Sequence, residues 1–498
     1  MRPTVAFLLA LALVAAGCGA TADRERSSAA TSTLRATWVD RHGDGTLALG
    51  PGRPMVARTD LAPAARPGRT LATVAFFTDA HVRDAESPAR AGLLDRLGPP
   101  FNSTFRPQES LSAQVLAGAV GAIDAARPDA VVEGGDLIDN DEADELDRGL
   151  EVLHGGMVRP DSGARGYEGP QSSTDADPGF YRPGVDAPRH PDLLRRAIAP
   201  FRSPGLRAPW FPVVGNHDVL VQGVVPPSPA LERLAVGDRR LVEPDRSQLR
   251  AARRLRDDAT AAVASLLRGG LPGRTSRIAP DPRRRLLRPE ELVDRLRASS
   301  AAPDRGGPRL DYTFDVGRFV RGIVLDGIRR DANAFTLAPA QLGWLARQLR
   351  AAGRRWVLLF SHTPLDRTPS GRAALALLDR DPHVVAALAG DTHHNRIAPR
   401  RTSAGGYWLI ETGSLADWPM QSRMLRLAQT KRGLALQTWM LDTAGGPESL
   451  PGIARQLAYL DAQGGRPNGF AGGRRDRNAV LYLDKRPARR GTPPPARA

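Results

Sequence analysis

Ala208-Pro-Trp-Phe-Pro-Val-Val214 runs into Gly215-Asn216-His217-Asp218, an apolar stretch that ends in an amide, an imidazole and a carboxylate. A short buried strand bounded by glycine has this pattern, and in open α/β sheets ligands bind outside such carboxyl ends. Alone, Gly-Asn reads equally well as a turn. Four other apolar runs decide between the two. Leu71-Ala-Thr-Val-Ala-Phe-Phe77 ends in Thr78-Asp79-Ala80-His81, and Asp129-Ala-Val-Val132 is followed by Gly134-Gly135-Asp136-Leu137-Ile138-Asp139-Asn140. Trp356-Val-Leu-Leu-Phe360 ends in Ser361-His362, and Val384-Val-Ala-Ala-Leu-Ala389 in Gly390-Asp391-Thr392-His393-His394. Five of the chain's nine histidines (His81, His217, His362, His393 and His394) lie at these ends. One polar residue at a strand end is ordinary, whereas five in series point to a common ligand. Asp, His and Asn without a thiolate suit Mn, Fe, Zn or a similar divalent ion. The set is large enough for two ions, the arrangement used to clamp phosphoryl groups.

The intervening sequence supplies the α/β frame. Residues 108–126 carry Leu111, Val115, Leu116, Val120 and Ile123 at helical spacing between two strands, which implies a parallel crossover. Helices are predicted over 142–153, 192–201 and 339–352, strands over 310–315 and 319–325, and two or three closing strands within 407–445. Residues 155–190 read as a long Gly/Pro-rich loop. Between 220 and 308, Arg-rich helical stretches (229–236, 247–268, 289–299) read as an insertion beside the site. Asp40 to Gly45 reads as a turn rather than a calcium loop, because no Glu closes it. Residues 18–70 are expected to be a tether and irregular approach, 71–465 the domain, and 466–498 a largely disordered tail apart from a short 479–483 segment.

With 498 residues the chain can bury a large core. Its net charge of +16 comes almost wholly from arginine, lysine occurring only at 431 and 485. The arginines are scattered rather than striped with aromatics, so no stable nucleic-acid partner is expected. Val5 to Ala16 is too short to span a membrane and matches a signal-peptide core, giving a signal peptide over 1–17. Cys18, the only cysteine, follows Val14-Ala15-Ala16-Gly17, which resembles the lipobox of bacterial lipoproteins. Export follows, either as a lipoprotein anchored through Cys18 or as a plain secreted protein.

Together Asp79-x-His81, Gly135-Asp136-x-x-Asp139, Gly215-Asn216-His217-Asp218, His362 and Gly390-Asp391-x-His393 resemble, in order, the motif series of the calcineurin-like metallophosphoesterases. The resemblance implies a four-layer α/β/β/α fold, a β-sandwich flanked by helices, here with a helical insertion. It implies hydrolysis of a phosphate mono- or diester by a hydroxide activated at two divalent metal ions. Asp79, His81, Asp136 and His393 would hold the first ion, with Asp136 bridging, and Asn216 and His362 the second. His217 would face the phosphate as general acid or transition-state stabiliser, oriented by Asp218. Asp391 stands where the family has a histidine; it is kept as a ligand of the second ion, one that would favour harder ions. Asp139 and Asn140 are expected to cap or buttress, and His394 to lie at the surface. The substrate would be a phosphorylated small molecule, a nucleotide or a lipid. The competing expectation is a surface-anchored binding or scaffold protein on a decayed frame of this kind, for which the Asp391 departure is the only support.

Overall fold

The computed structural model describes residues 31–98, 101, 104–174, 179–303, 306–463 and 470–485. The expected signal peptide and Cys18 lie outside them. β-Branched and aromatic residues dominate the strands Thr70–Phe77, Ala130–Glu133 and Trp210–Pro212, which pair in parallel. They form one edge of a seven-stranded sheet that continues through Gln421–Thr430, Gly433–Asp442, Ala479–Leu483 and Val56–Arg58. A second, six-stranded sheet runs in the order Tyr312–Val316, Val320–Leu325, Trp356–Ser361, Val384–Ala389, Tyr407–Glu411 and Arg396–Arg400. Its four central strands are parallel, and both edge strands are antiparallel.

The two sheets face each other across an aromatic seam. Phe211 stacks on Phe314 at a centroid distance of 3.8 Å, and Phe76 and Phe314 each lie 6.0 Å from Phe360. Outside the first sheet, the helix Ser112–Ala126 buries Val115, Leu116, Ala119, Val120 and Ile123 against Gln421–Thr430 and Gly433–Asp442. Outside the second, Pro339–Ala352 packs on Trp356–Ser361. The fold is thus mixed α/β, two large mixed sheets flanked by helices. Among the described residues no helix is long and apolar enough to cross a membrane.

Three expectations are corrected. The N-terminal approach is not irregular throughout. Ala36–Asp40 and Leu47–Pro51 form a hairpin, and Val56–Arg58 is an edge strand. At the other end, Ala479–Leu483 is an interior strand between Gly433–Asp442 and Val56–Arg58, so residues 470–485 belong to the domain. Five apolar-rich residues framed by Gly and Arg gave little periodicity to read, and the burial comes from partners far away in sequence. The single helix expected over 247–268 breaks into Arg246–Arg254 and Ala259–Arg268, because Asp258 caps the second by accepting from the Ala261 N–H at 2.9 Å.

The insertion also holds an antiparallel strand pair, Arg239–Pro244 with Gly273–Arg277, joined through the two helices and hidden by its polar sequence. It builds a small core of its own from Leu231, Leu241, Val263, Leu266 and Leu267, packed with Leu94, Phe105 and Phe180.

Candidate metal centre

All five polar strand ends meet at one point. Three come from the first sheet (after Thr70–Phe77, Ala130–Glu133 and Trp210–Pro212) and two from the second (after Trp356–Ser361 and Val384–Ala389). Five residues at these ends, Asp79, His81, Asp136, Asp391 and His393, hold left-handed backbone with φ between 43° and 67°. Such conformations cost on the order of 1–3 kcal/mol each for non-glycine residues and gather where side chains must be aimed rather than packed. Glycine permits the close approach. A Cβ at Gly215 would stand 2.1 Å from Asp136 Oδ1, and one at Gly390 2.6 Å from Asp79 Oδ2.

The first half of the site is formed by Asp79, His81 and His393. His81 Nδ1 lies 2.9 Å from Asp139 Oδ1, and His393 Nδ1 meets Asp417 Oδ2. A carboxylate only accepts, so both Nδ1 atoms carry protons and both Nε2 atoms turn into the site. There the two Nε2 atoms are 3.3 Å apart, and His393 Nε2 is 3.3 Å from Asp79 Oδ1. In the second half, His362 Nδ1 donates to the Gly134 carbonyl at 2.9 Å. Its Nε2 points at Asp136 Oδ2 (3.2 Å), Asp391 Oδ1 (3.8 Å) and Asp79 Oδ1 (4.0 Å). Asn216 Nδ2 donates to the Gly223 carbonyl at 3.1 Å, leaving the amide oxygen as the ligand end. Asp136 reaches both halves, Oδ2 also lying 3.8 Å from His81 Nε2.

These residues fit divalent cations. Asp79 Oδ1 and His362 Nε2 are buried without a hydrogen-bond partner. Lone-pair atoms that converge in this way, without hydrogen bonds, are costly unless an ion or protons sit between them. Asp79, His81 and His393 form one ligand set, and Asp79, Asp136 and His362 another.

Without an ion the charge is balanced by protons. Against the effect of burial, the carboxylates of Asp79 and Asp417 lift His393 to about 10, and Asp136, Asp79 and Asp391 lift His362 well above its ordinary value. Burial and the neighbouring His217 push His81 down to about 4. A metal ion needs neutral imidazole, so binding must expel the protons of His362 and His393. A raised proton affinity opposes the metal more strongly as pH falls. Metal affinity is therefore expected to rise with pH up to about 10, by about tenfold per pH unit for each proton expelled. Calorimetry in two buffers of different ionisation enthalpy measures the release directly, and a heat independent of buffer would contradict it.

One supporting carboxylate, Asp417, escaped the sequence, where Asp139 is expected only to cap or buttress. Asp417 receives His393 and is itself clamped by Arg106, whose Nε and Nη2 donate at 2.7 and 3.1 Å. Asp139 does more than buttress. Its carboxylate accepts from His81 and from Arg83 Nη2 (2.8 Å), and its carbonyl accepts from His217 Nδ1 (2.9 Å). Asp417→Asn is expected to weaken metal binding about 10- to 100-fold while leaving the fold intact, measured by titration with Mn2+ or Zn2+.

The role expected of Asp218 is corrected. Its carboxylate accepts from the backbone N–H groups of Gly215 (2.7 Å), Asp136 (2.9 Å) and Ile138 (3.1 Å), so it fixes the loops that carry the ligands. His217 is oriented by Asp139 instead. Its backbone N–H donates to Asp136 Oδ1 at 2.8 Å, and its ring lies on the rim, edge-on to His81. His394 is at the surface, and Asn140 donates to Glu145 away from the ligands.

The centre opens into a cavity of about 340 Å³. Its walls include Thr260 and Val263 from the insertion, Trp418, and Phe470 from the C-terminal segment. Phe470 is tied there by its carbonyl, which accepts the Asn395 N–H at 2.9 Å.

No protein-family model and no curated protein sequence matches this chain. Among solved structures, it is similar to a dimetal phosphatase from Danio rerio at 14% identity, over 75% of this chain and 97% of that one, with a TM-score of 0.38. It is similar to PhoD at 12% identity, over 83% and 80%, with a TM-score of 0.29. It is also similar to the sulfate thiohydrolase SoxB of Thermus thermophilus at 16% identity, over 80% and 61%, with a TM-score of 0.31.

Proposed function

We propose that this protein hydrolyses the phosphate ester of a small molecule at a two-metal centre. The observation that carries this reading is the convergence of Asp79, His81, Asp136, His362 and His393 from four strand ends, with buried lone pairs that no hydrogen bond satisfies. Asp79, His81 and His393 would hold one ion, His362, Asn216 and Asp391 the other, with Asp136 shared. Such a pair of ions neutralises phosphoryl oxygens and activates water. Three carboxylates under two divalent ions leave the centre net positive, so an anion is drawn in. His217 stands at the rim, where the ester's leaving oxygen can be reached. The charge of Asp136 and the hydrogen bonds His217 donates to Asp139 outweigh burial and raise its affinity for a proton, which suits it to donate one. The cavity is at the small end of ligand pockets, which favours a compact ester over a polymer.

Hydrolysis of an aryl phosphate monoester and a diaryl phosphate diester, each with Mn2+, Zn2+ or Fe2+, tests the proposal. Loss on chelation and return on adding metal is the expected result; a metal-loaded chain inert to both esters would favour the scaffold reading. Asp391→His is expected to shift the preferred metal toward softer ions, and an unchanged metal profile would count against Asp391 as a ligand. Export, with residues 1–17 as signal and Cys18 as lipid anchor, belongs to the same proposal. Mass determination of the mature N-terminus checks it.

A further inference from the structure

Behind the histidine-bearing centre lies a second cluster, made of carboxylates alone. Asp84, Glu142 and Asp144 each bring an oxygen within 4.8 Å of the others, and none is more than 3% exposed. Asp84 is engaged at both oxygens, its Oδ1 accepting from the Glu86 N–H at 2.9 Å, and Glu142 and Asp144 at one each. Arg284 Nε donates to Asp84 Oδ2 at 2.8 Å, Ser87 Oγ to Glu142 Oε1 at 2.5 Å, and Arg148 Nη2 to Asp144 Oδ2 at 2.6 Å. The other oxygens of two of them, Glu142 Oε2 and Asp144 Oδ1, are buried with no hydrogen-bond partner. Glu86 and Glu145 are buried beside them, so five carboxylates gather around Arg148 and Arg284, with Arg283 also acting on Asp144. Three buried carboxylates gathered within 4.8 Å of one another are stable only around shared protons or a cation.

We propose that Asp84, Glu142 and Asp144 hold a third, structural cation, a hard divalent ion of the Ca2+ or Mg2+ kind. The donors are oxygen only, which separates this site from the imidazole-rich centre and selects against Zn2+ and Cu2+. Its place in the fold gives it a task. Residues 139–145 lead from the strand Ala130–Glu133 into the helix Ala143–His154, and Asp139, which orients His81 and His217, begins that segment. Glu145 already gathers it, accepting from the N–H groups of Asp84 (2.9 Å), Asp139 (3.0 Å) and Asn140 (2.7 Å). A cation joining Asp84 to Glu142 and Asp144 locks the same segment from its other side.

The test uses the full chain with its first centre loaded with Mn2+, equilibrated with Ca2+ and then dialysed into metal-free buffer. Elemental analysis is expected to find about one tightly held calcium per chain besides the manganese. Unfolding and refolding with chelator, followed by Mn2+ alone, should lower the unfolding midpoint by several degrees, and Ca2+ should restore it. Glu142→Gln should lose the calcium and keep the manganese. The double variant His362→Ala, His393→Ala guards against misassignment, because it must keep the calcium after losing manganese. The same series with Mg2+ reports which hard ion is preferred. Absence of both Ca2+ and Mg2+ in the unmodified chain would overturn the proposal, as would loss of the hard ion in the double variant. So would a Glu142→Gln chain more stable than the unmodified one, which marks a shared proton.

Discussion

Asp136→Asn is expected to strip the centre of metal and reduce hydrolysis by at least about 10³-fold, near the background rate. The expectation rests on position. Asp136 Oδ2 approaches ring nitrogens of both halves, 3.2 Å from His362 Nε2 and 3.8 Å from His81 Nε2, as Asp79 Oδ1 does at 3.3 Å from His393 Nε2 and 4.0 Å from His362 Nε2. Asparagine keeps the shape and loses the charge. The amide oxygen can still accept the His217 N–H now bound by Oδ1 at 2.8 Å, so the loop that carries His217 keeps its anchor. The fold should survive, as judged by an unfolding midpoint close to that of the metal-free parent. Elemental analysis should then find fewer than two ions per chain. A variant that keeps two ions and most of its turnover would remove Asp136 from the bridge.

His217→Ala is expected to do the opposite to metal and similar harm to rate. Its Nδ1 is bound by the Asp139 carbonyl, and its ring stands outside both ligand sets that hold Asp79. Metal content should therefore stay near that of the parent while turnover falls about 10²- to 10⁴-fold, the range for loss of a positioned proton donor. The leaving group separates the two roles His217 could play. If it protonates the departing oxygen, the deficit shrinks for an ester with an acidic phenol and grows for an alkyl ester. An equal deficit for both would assign it to charge stabilisation alone. Loss of one ion on the substitution would make it a ligand.

What the sequence disclosed was the set of strand ends. Buried parallel strands are written as unbroken apolar runs, so Asp79, His81, Asp136, Asn216, His217, His362, Asp391 and His393 stood out by following them. The supporting residues were hidden because their partners are distant or their geometry turns back. Asp417 lies in the irregular stretch between Tyr407–Glu411 and Gln421–Thr430, and only the fold brings it to His393. Asp218 is adjacent to His217 in sequence, yet its carboxylate faces the backbone of the neighbouring loop. Asp139 sat inside a recognised motif, but its triple engagement with His81, Arg83 and His217 needs the crossing of three strand ends. The insertion's helices were legible from periodicity, while its polar strand pair and its contribution of Thr260 and Val263 to the cavity were not.

The most direct measurement is anomalous X-ray scattering from crystals soaked in Mn2+ or Zn2+, paired with hydrolysis of an aryl phosphate by the same preparation. The account predicts two ions between the five strand ends, one against Asp79, His81 and His393 and one against His362, Asn216 and Asp391, with Asp136 touching both. Hydrolysis should vanish with chelation and return with the metal. Ions bound elsewhere only, or hydrolysis that persists in the metal-free chain, would contradict it.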